Sequence, residues 1–438
     1  MIATLPPRLR RAVSPYTGIV RSLEECLCTT AEPPLFRATC EVGRGERLLG
    51  IGLDHLAGIG GTGRNRADAA AAAVGEALER YSATYVPGER LILASARELG
   101  DDAVAPERFA LFSDRQHALD RFPFRRFTAE TQVRWVQGQS LRDRRLAYLP
   151  AELVFLGDAT PAGEAPIGYA TSSGMACGET IDEVHTRGLC EVLERDAFMI
   201  VWANRLSLPL LEVAGSEPIA GLDRALYANT GLPYAAVDLS VFHRLPTVLG
   251  VVRAPAGCPG ALGVGAGTAP TVERAWWKAL SEAFAARAAG AKLALVARER
   301  EYGPEGAGVV SFEDHISYHA DHRRGPASGF LDASRVRTPV TSVPELDGSA
   351  QGDWVAALCQ RVEAAGSTAY AVDVTSPDVR DLGLTVTKVL APELCALDVP
   401  HAARFLGGRR LYEAAAALGL RGDCLQETDV NPDPHPFP

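Results

Sequence analysis

The sequence lacks several features that would place it in a common functional class. It has no run of about 18 apolar residues, so we expect no membrane-spanning helix. Met1–Arg11 has no long apolar core behind its basic residues, so we expect no secretory signal and a cytoplasmic protein. The formal net charge of -10 argues against a non-specific nucleic-acid binder, because such a protein needs a basic face.

Cysteine pairs with the spacing of zinc ligands are also absent. The nine cysteines are scattered, and Cys26 and Cys28 come nearest to a C-x-x-C pair. We therefore expect no zinc site, and most thiols should be buried small side chains in a reducing compartment. A P-loop is missing too, because no Gly-Lys-Ser/Thr follows the glycine-rich stretch 57–65.

An E-x-x-E-R motif does stand out, in a predicted helix around residues 188–198. Glu191, Glu194 and Arg195 lie three and four residues apart, so Glu191 contacts the other two on one helix face. Apolar residues flank this face on both sides, which is typical of a buried helix. Buried charges must be paired or must bind a metal. From this helix alone, a structural ion pair and a functional site are equal alternatives.

The same spacing recurs in a helix predicted over 67–85, as Glu76, Glu79 and Arg80. Each helix follows a glycine-rich loop, the second one over 168–178, so internal duplication and coincidence of charge spacing are the two explanations. Facing each other, the helices would gather four carboxylates and two guanidiniums. Carboxylates suit Mg²⁺ and guanidiniums suit phosphate oxygens. The pattern predicts a magnesium-nucleotide site. The glycine-rich loops either bind phosphate through their backbone N–H groups or are plain turns.

Alternating strand and helix patterns in the rest of the chain favour an α+β (mixed α/β) fold. Strands are predicted over 34–53, 132–138, 146–148, 234–239, 247–253, 262–266, 370–374 and 386–390. Further helices are predicted over 271–289 and 353–366 and within 404–419. Residues 298–350 are polar and turn-rich, and we expect them to form a surface excursion.

Residues 431–438 place a proline at every second position. Such a segment forms no helix and favours an extended or polyproline conformation. By composition alone we expect a disordered tail. The alternative is a stiff tail that threads a groove and places its terminal carboxylate.

Together these residues resemble the YcaO superfamily over nearly the whole chain. The most specific parts are the two glycine-rich loops joined to E-x-x-E-R helices; the segments 265–287, 372–383 and 407–412 also match. The resemblance implies ATP and Mg²⁺ bound between helices that pack on β-sheets. It implies one region over 1–438, with N-terminal strands to about 57, an ATP-binding core over 58–300, a C-terminal subdomain over 301–430 and the tail.

The resemblance also implies roles for individual residues. The carboxylates expected to hold Mg²⁺ or to support its ligands are Glu76, Glu79, Glu191 and Glu194. The residues expected on the nucleotide side are Arg80, Arg195, Glu282, Arg287 and Arg11. Two positions depart from the family pattern: Ala285 and Ala286 replace a glutamine, and Ala72 and Ala73 replace a small hydroxyl residue. These departures put individual ATP contacts in doubt.

The alternating prolines resemble the azoline-forming branch of the family, whose tail enters the active site, which reverses the expectation of disorder. In the implied reaction a Cys, Ser or Thr side chain of a precursor peptide attacks the preceding amide carbonyl. The oxyanion takes the γ-phosphoryl group of ATP, and loss of phosphate leaves a thiazoline or oxazoline. The terminal carboxylate of Pro438 is the expected base; His435 is the second candidate, or a spacer between prolines.

The resemblance further implies an E1/ThiF-like partner that binds the leader of the precursor peptide, and it makes a homodimer plausible. No nucleic-acid or membrane partner is expected. Two alternatives stay open at this point. One is a thioamide- or amidine-forming relative with the same ATP site, and the other is a non-catalytic scaffold.

Overall fold

The computed structural model of the 438-residue chain describes residues 1–29, 32–43, 59–296, 301–346 and 351–437. The chain divides into two compact units, each built from discontinuous segments. The first unit comprises Met1–Leu27, Leu35–Val192 and Gly348–Glu393, and the second comprises Cys28–Pro34, Leu193–Asp347 and Leu394–Pro438. The subdivision along the chain given above stays a prediction.

Strands and α-helices alternate along the described residues, as expected for an α+β fold. The strands are β1 (Val20–Cys26), β2 (Phe36–Val42), β3 (Gly60–Gly63), β4 (Leu91–Ala94), β5 (Val133–Ser140), β6 (Leu146–Pro150), β7 (Met175–Gly178), β8 (Leu210–Glu212), β9 (Tyr234–Asp238), β10 (Thr247–Arg253), β11 (Leu262–Thr268), β12 (Arg337–Pro339), β13 (Tyr370–Asp373) and β14 (Thr385–Leu390). The helices are α1 (Pro7–Arg11), α2 (Arg66–Thr84), α3 (Ala96–Leu99), α4 (Asp114–His117), α5 (Ile181–Asn204), α6 (Glu217–Leu226), α7 (Val272–Val296), α8 (Phe312–His319), α9 (Gly325–Ser328), α10 (Gln351–Ala364), α11 (Pro377–Asp381) and α12 (Arg410–Ala417).

The first unit contains two sheets among its described residues. One is antiparallel with the order β1-β2-β3, and the other has the order β4-β5-β13-β14-β7 with β6 paired to β5. The second unit contains a sheet of order β11-β10-β9-β8-β12, in which only the β8 and β12 pair is parallel among the described pairs. Helix α5 runs through the boundary between the units, which falls after Val192.

Each unit packs an alanine-rich helix directly on a glycine-rich strand. In the first unit, a Cβ added to Gly61 of β3 would lie 2.3 Å from the backbone nitrogen of Ala73 in α2. In the second unit, a Cβ added to Gly265 of β11 would lie 2.5 Å from the backbone nitrogen of Ala283 in α7. Only glycine and alanine let the two backbones approach this closely, and interiors packed to this density leave no room for a methyl group.

Most of the expected elements are confirmed. The E-x-x-E-R helices correspond to α2 and α5, and the strands predicted over 234–266 and 370–390 correspond to β9–β11, β13 and β14. The strand prediction over 34–53 is confirmed as β2, while 44–58 lie outside the described residues. The surface excursion expected over 298–350 is wrong, because α8 places His315, Tyr318 and His319 in the interior of the second unit. The polar residues of this segment predicted a surface location, but in α8 they make buried hydrogen bonds.

Within the ranges that the structure describes, no helix is both long enough and apolar enough to cross a membrane.

The close contact of β3 with α2 can be tested with two glycine-to-alanine changes in the first unit. We expect Gly61→Ala to lower the free energy of unfolding by about 1–3 kcal/mol, because the new methyl group overlaps α2. Gly75→Ala is the matched control, since a Cβ on Gly75 meets nothing within 4 Å and alanine favours a helix by about 0.5–1 kcal/mol. Urea unfolding followed by circular dichroism measures both. Equal midpoints for the two variants would contradict the packing.

Candidate functional site

Three glutamates form a carboxylate cluster in the first unit: Glu76 and Glu79 of α2, and Glu191 of α5. They lie close enough for Glu191 to act electrostatically on both of the others. Helix α2 begins where the Asn65 side chain accepts a hydrogen bond from the backbone N–H of Asp68 at 3.0 Å. The two motifs found in the sequence therefore meet in the structure through these side chains.

The carboxylate cluster gathers acidic groups where burial disfavours their ionised forms. Burial raises the pKa of Glu79 to about 8, and repulsion by Glu191 and Glu76 adds to this rise. Burial also raises the pKa of Glu76, although Arg80 and the backbone N–H of Gly60 oppose the rise. Their nitrogens lie 2.6 and 3.1 Å from the Glu76 carboxylate. Any cation added near these groups would stabilise their ionised forms.

Lys388 of β14 is a member of this neighbourhood that the sequence reasoning missed. Its side chain is buried, with 4% of the residue exposed, and Nζ donates to the carbonyl oxygens of Thr171 at 2.7 Å and Ser173 at 2.6 Å. Burial lowers the pKa of Lys388 to about 8, while Glu191 and Glu79 act in the opposite direction. The available signal was a lysine within a strand of otherwise β-branched and apolar residues.

Glu194 and Arg195 lie in the second unit, one turn further along α5. The Glu194 side chain is fully buried. It accepts hydrogen bonds from the backbone N–H of Thr268 at 2.7 Å and from Lys278 Nζ at 2.9 and 3.1 Å. The guanidinium carbon of Arg195 lies 4.0 Å from the centre of the Phe437 ring. Glu194 is therefore held by protein donors, and Lys278 is a second residue that the sequence reasoning missed.

The other residues expected near a nucleotide occupy different places. Glu282 of α7 is about one-third exposed, 3.7 Å from Lys278 Nζ, and so is linked through that lysine to Glu194. Arg287 of α7 is buried and donates to the carbonyl oxygen of Pro259 at 3.0 Å. Arg11 is exposed at the end of α1 in the first unit. The nucleotide contacts of these three residues stay predictions.

The C-terminal tail is ordered through Phe437 and buried over 434–437, so the disorder expected from composition is wrong. Five successive tail carbonyls, from residue 431 to residue 435, each accept a hydrogen bond from a side chain of the second unit. This set of donors is called the tail cradle here. In tail order, its donors are Arg404 at 2.6 Å, His401 at 2.8 Å, Trp202 at 3.1 Å, His319 at 2.7 Å and His315 at 2.7 Å. Alternating prolines lack N–H groups, so the tail can be held through its carbonyls.

His435 lies inside this arrangement. Its Nε2 donates to the carbonyl oxygen of Asp398 at 2.8 Å, and its Nδ1 accepts from the backbone N–H of Phe437 at 3.2 Å. Its ring stacks on His315 with centroids 3.9 Å apart. Both ring nitrogens thus hold the tail in place, and the role of His435 as a base stays a prediction. Pro438 lies outside the described residues, and its role stays a prediction as well.

Comparison with known proteins identifies the family. A model of YcaO cyclodehydratases, described as binding ATP and Mg²⁺, matches residues 60–395. The chain belongs to the YcaO family. A curated relative, an uncharacterized protein from Methanothermobacter thermautotrophicus, is 28% identical over 235 residues, which cover 52% of this chain and 56% of that protein.

Solved structures of YcaO proteins share the fold. A heterocyclase in complex with substrate and cofactor superposes with a TM-score of 0.79 at 25% identity, covering 98% of this chain and 56% of the other. The heterocyclase TruD gives 0.66 at 25% identity, covering 83% and 50%. The YcaO protein from Methanopyrus kandleri bound with AMPPCP and Mg²⁺ gives 0.59 at 21% identity, covering 88% of each chain, and shows the fold alone. This chain spans about half the length of the curated relative and of both heterocyclases.

The carboxylate cluster fits the cofactors of a YcaO protein. Mg²⁺ is usually held by one or two carboxylates together with waters and phosphate oxygens, rather than by a cage of protein ligands. Within the described ranges, no three His, Cys, Asp or Glu side chains form such a cage. The raised pKa values of Glu76 and Glu79 indicate carboxylates that a divalent cation would stabilise. Glu79 and Glu191 are therefore suited to share a magnesium ion with a nucleotide.

The histidines of the tail cradle predict that acid destabilises the second unit. Burial lowers the pKa of His319 from 6.5 to about 4 and that of His401 to about 3, and it lowers the pKa values of His315 and His435 as well. Because the unfolded chain then binds more protons, their stabilisation is present above pH 6.5 and is lost as the pH falls towards 4. Asp398, whose pKa burial raises to about 7, acts in the opposite direction but is a single group.

We expect His319→Gln, which keeps an N–H donor but does not titrate, to reduce this loss. Between pH 7 and pH 5 the wild-type protein should lose about 2 kcal/mol more unfolding free energy than the variant. Urea unfolding at both pH values measures the difference. His322→Gln changes a nearby exposed histidine and serves as the control. The same pH dependence in all three proteins would contradict the account of the cradle.

Proposed function

We propose that this protein is an ATP- and Mg²⁺-dependent cyclodehydratase. It converts Cys, Ser or Thr residues of a ribosomally made precursor peptide to thiazolines or oxazolines. The observation that carries the proposal is the carboxylate cluster of a YcaO protein, in which Glu191 acts electrostatically on the buried carboxyl group of Glu79. The likeness to two heterocyclases at 25% identity supports azoline formation over other YcaO chemistry.

The surroundings of the glutamates suggest different roles for the two acids of the α5 motif. Glu191 is half-buried and lies beside other carboxylates, so binding a divalent cation relieves repulsion there. The Glu194 side chain is fully buried and already accepts from Thr268 and Lys278. We assign Glu191, with Glu79 and Glu76, to the metal, and we assign Glu194 to holding α5 against β11 and α7. This assignment addresses the choice that the sequence left open.

The remaining residues position the peptide and the charges. ATP, when bound, supplies the phosphoryl group that makes the amide oxygen able to leave. Arg80 keeps a guanidinium 2.6 Å from Glu76, and we assign it to neutralising phosphate charge. The tail cradle fixes the chain through residue 435, and we assign the base to the carboxylate of Pro438. That carboxylate is the proposed base for the proton of the attacking side chain.

The proposed partners follow from the proposed reaction. The substrate is a precursor peptide rich in Cys, Ser or Thr, and an E1/ThiF-like protein is the proposed leader-binding partner. A homodimer is compatible with this arrangement.

Reconstitution tests the function directly. The protein is mixed with ATP, Mg²⁺, an E1/ThiF-like partner and a Cys-rich precursor peptide. The mass of the peptide is then measured by mass spectrometry. We expect the loss of one water per ring formed, together with release of ADP and phosphate. Exchange of peptide oxygen for sulfur would instead indicate a thioamide-forming enzyme. No ATP hydrolysis with any partner would indicate a scaffold.

The two acids of the α5 motif should respond differently to removal of their charge. Glu191→Gln should lower turnover at least about a hundredfold while the free energy of unfolding stays equal or rises, because carboxylate repulsion is relieved. Glu194→Gln should lower the free energy of unfolding by about 1–3 kcal/mol, because a buried acceptor of charged and backbone donors is weakened. Turnover assays and urea unfolding of both variants give the comparison. Full activity of Glu191→Gln would refute the metal assignment.

A further inference from the structure

Two adjacent residues of β14 hold the loop that precedes β7. The hydroxyl loop is defined here as residues 171–174. Lys388 Nζ donates to the carbonyl oxygens of Thr171 and Ser173. The backbone N–H of Val389 donates to the carbonyl oxygen of Gly174 at 2.7 Å. Both ends of the hydroxyl loop are therefore tied to one strand.

Gly174 shows how little freedom the hydroxyl loop has. Its φ is +78°, in the left-handed region, and a Cβ at this position would lie 2.3 Å from the carbonyl oxygen of Val389. A residue with a side chain would strain the loop and push it away from β14. The Lys388 side chain meets the loop from the same strand. Strand β14 thus fixes the loop by a backbone contact and by the Lys388 side chain together.

Burial of a lysine carries a large desolvation cost, which an apolar residue in β14 would avoid. The two carbonyl acceptors offset part of this cost. The remaining offset comes from Glu79 and Glu191, which act on Lys388 electrostatically. One ammonium group therefore does two things: it holds the hydroxyl loop, and it places a positive charge beside the carboxylate cluster.

The charge of Lys388 and its hold on the hydroxyl loop have opposite effects on the binding of Mg²⁺ and of the nucleotide. A positive charge beside the carboxylates weakens their attraction for a divalent cation that arrives alone. A loop whose backbone is already fixed favours phosphate binding, because the backbone needs no reorganisation when the phosphate binds. We propose that Lys388 is a positioning residue that makes Mg²⁺ binding depend on the nucleotide. The inference rests on the magnesium-nucleotide site of the proposed function.

Three substitutions separate the two effects. Lys388→Met removes both the charge and the donors, Lys388→Gln removes the charge but keeps an N–H donor, and Lys388→Arg keeps both. The affinity for Mg²⁺ alone and the affinity for ADP at fixed Mg²⁺ are measured by titration calorimetry at low ionic strength. Thermal unfolding with and without Mg²⁺ gives a readout that is independent of turnover.

For Lys388→Met we expect Mg²⁺ alone to bind about tenfold more tightly and ADP to bind about tenfold more weakly. Lys388→Gln should bind Mg²⁺ alone more tightly and lose less ADP affinity than Lys388→Met. Lys388→Arg should stay close to the wild-type protein in both affinities. A lysine that only stabilises the fold would not tighten metal binding, since unfolding or loosening weakens both ligands.

Parallel weakening of both ligands in Lys388→Met and Lys388→Gln would overturn the inference while leaving the proposed function intact. Unchanged Mg²⁺ affinity in both neutral variants would do the same, because the ammonium would then lie outside the field of the cluster. If Lys388→Met does not fold, the Gln and Arg variants still decide the question. Failure of the wild-type protein to bind Mg²⁺ and ADP would overturn the proposed site itself.

Discussion

Repulsion among the carboxylates of Glu76, Glu79 and Glu191 is the physical constraint that the surrounding residues of the first unit must offset. The structure brings them together in surroundings poor in water, where like charges are expensive to keep. Arg80 pairs with one of them, and Lys388 supplies charge from β14. Close packing on the glycines of β3 fixes the position of α2. This repulsion is the physical basis of the proposed cation site.

The E-x-x-E-R motif of α5 shows how neighbouring acids acquire different properties. Glu191 faces other carboxylates, whereas Glu194 accepts from a backbone N–H and an ammonium group. The next acidic residue, Asp196, is also buried, and there burial is outweighed by Arg410 and His243, which hold its pKa well below the usual value. One helix thus carries an acid that lies beside other carboxylates, followed by two acids that are held by protein donors. Identical spacing in a sequence does not give identical chemistry.

The sequence predicted the elements that have strong periodicity. Helices α2 and α5 were recognisable because acids three residues apart in alanine-rich or apolar surroundings leave a regular pattern. Lys388 and Lys278 leave no such pattern. A single lysine in a strand or helix is ordinarily exposed, and the acceptors of Lys388 lie more than 200 residues away along the chain. Only the folded chain shows that these two lysines are partners of the glutamates.

For the C-terminal tail, the sequence predicted disorder where the structure has an ordered segment. Its composition predicts disorder, since seven or eight residues rich in proline cannot form a core of their own. Order comes instead from Trp202, three histidines and Arg404, whose positions along the chain carry no common motif. Residues 298–350 were misjudged for the same reason, because α8 supplies two of those histidines. Polar residues that serve as buried donors look like surface residues until their acceptors are known.

Anomalous diffraction from Mn²⁺ in crystals grown with a non-hydrolysable ATP analogue tests the central claim most directly. We expect a metal peak bonded to Glu191 and at least one of Glu76 and Glu79, at about 2.0–2.3 Å from a carboxylate oxygen. We also expect that Glu194 keeps its hydrogen bonds to Thr268 and Lys278. A metal bonded to Glu194, or no peak at the carboxylate cluster with nucleotide bound, would contradict the account.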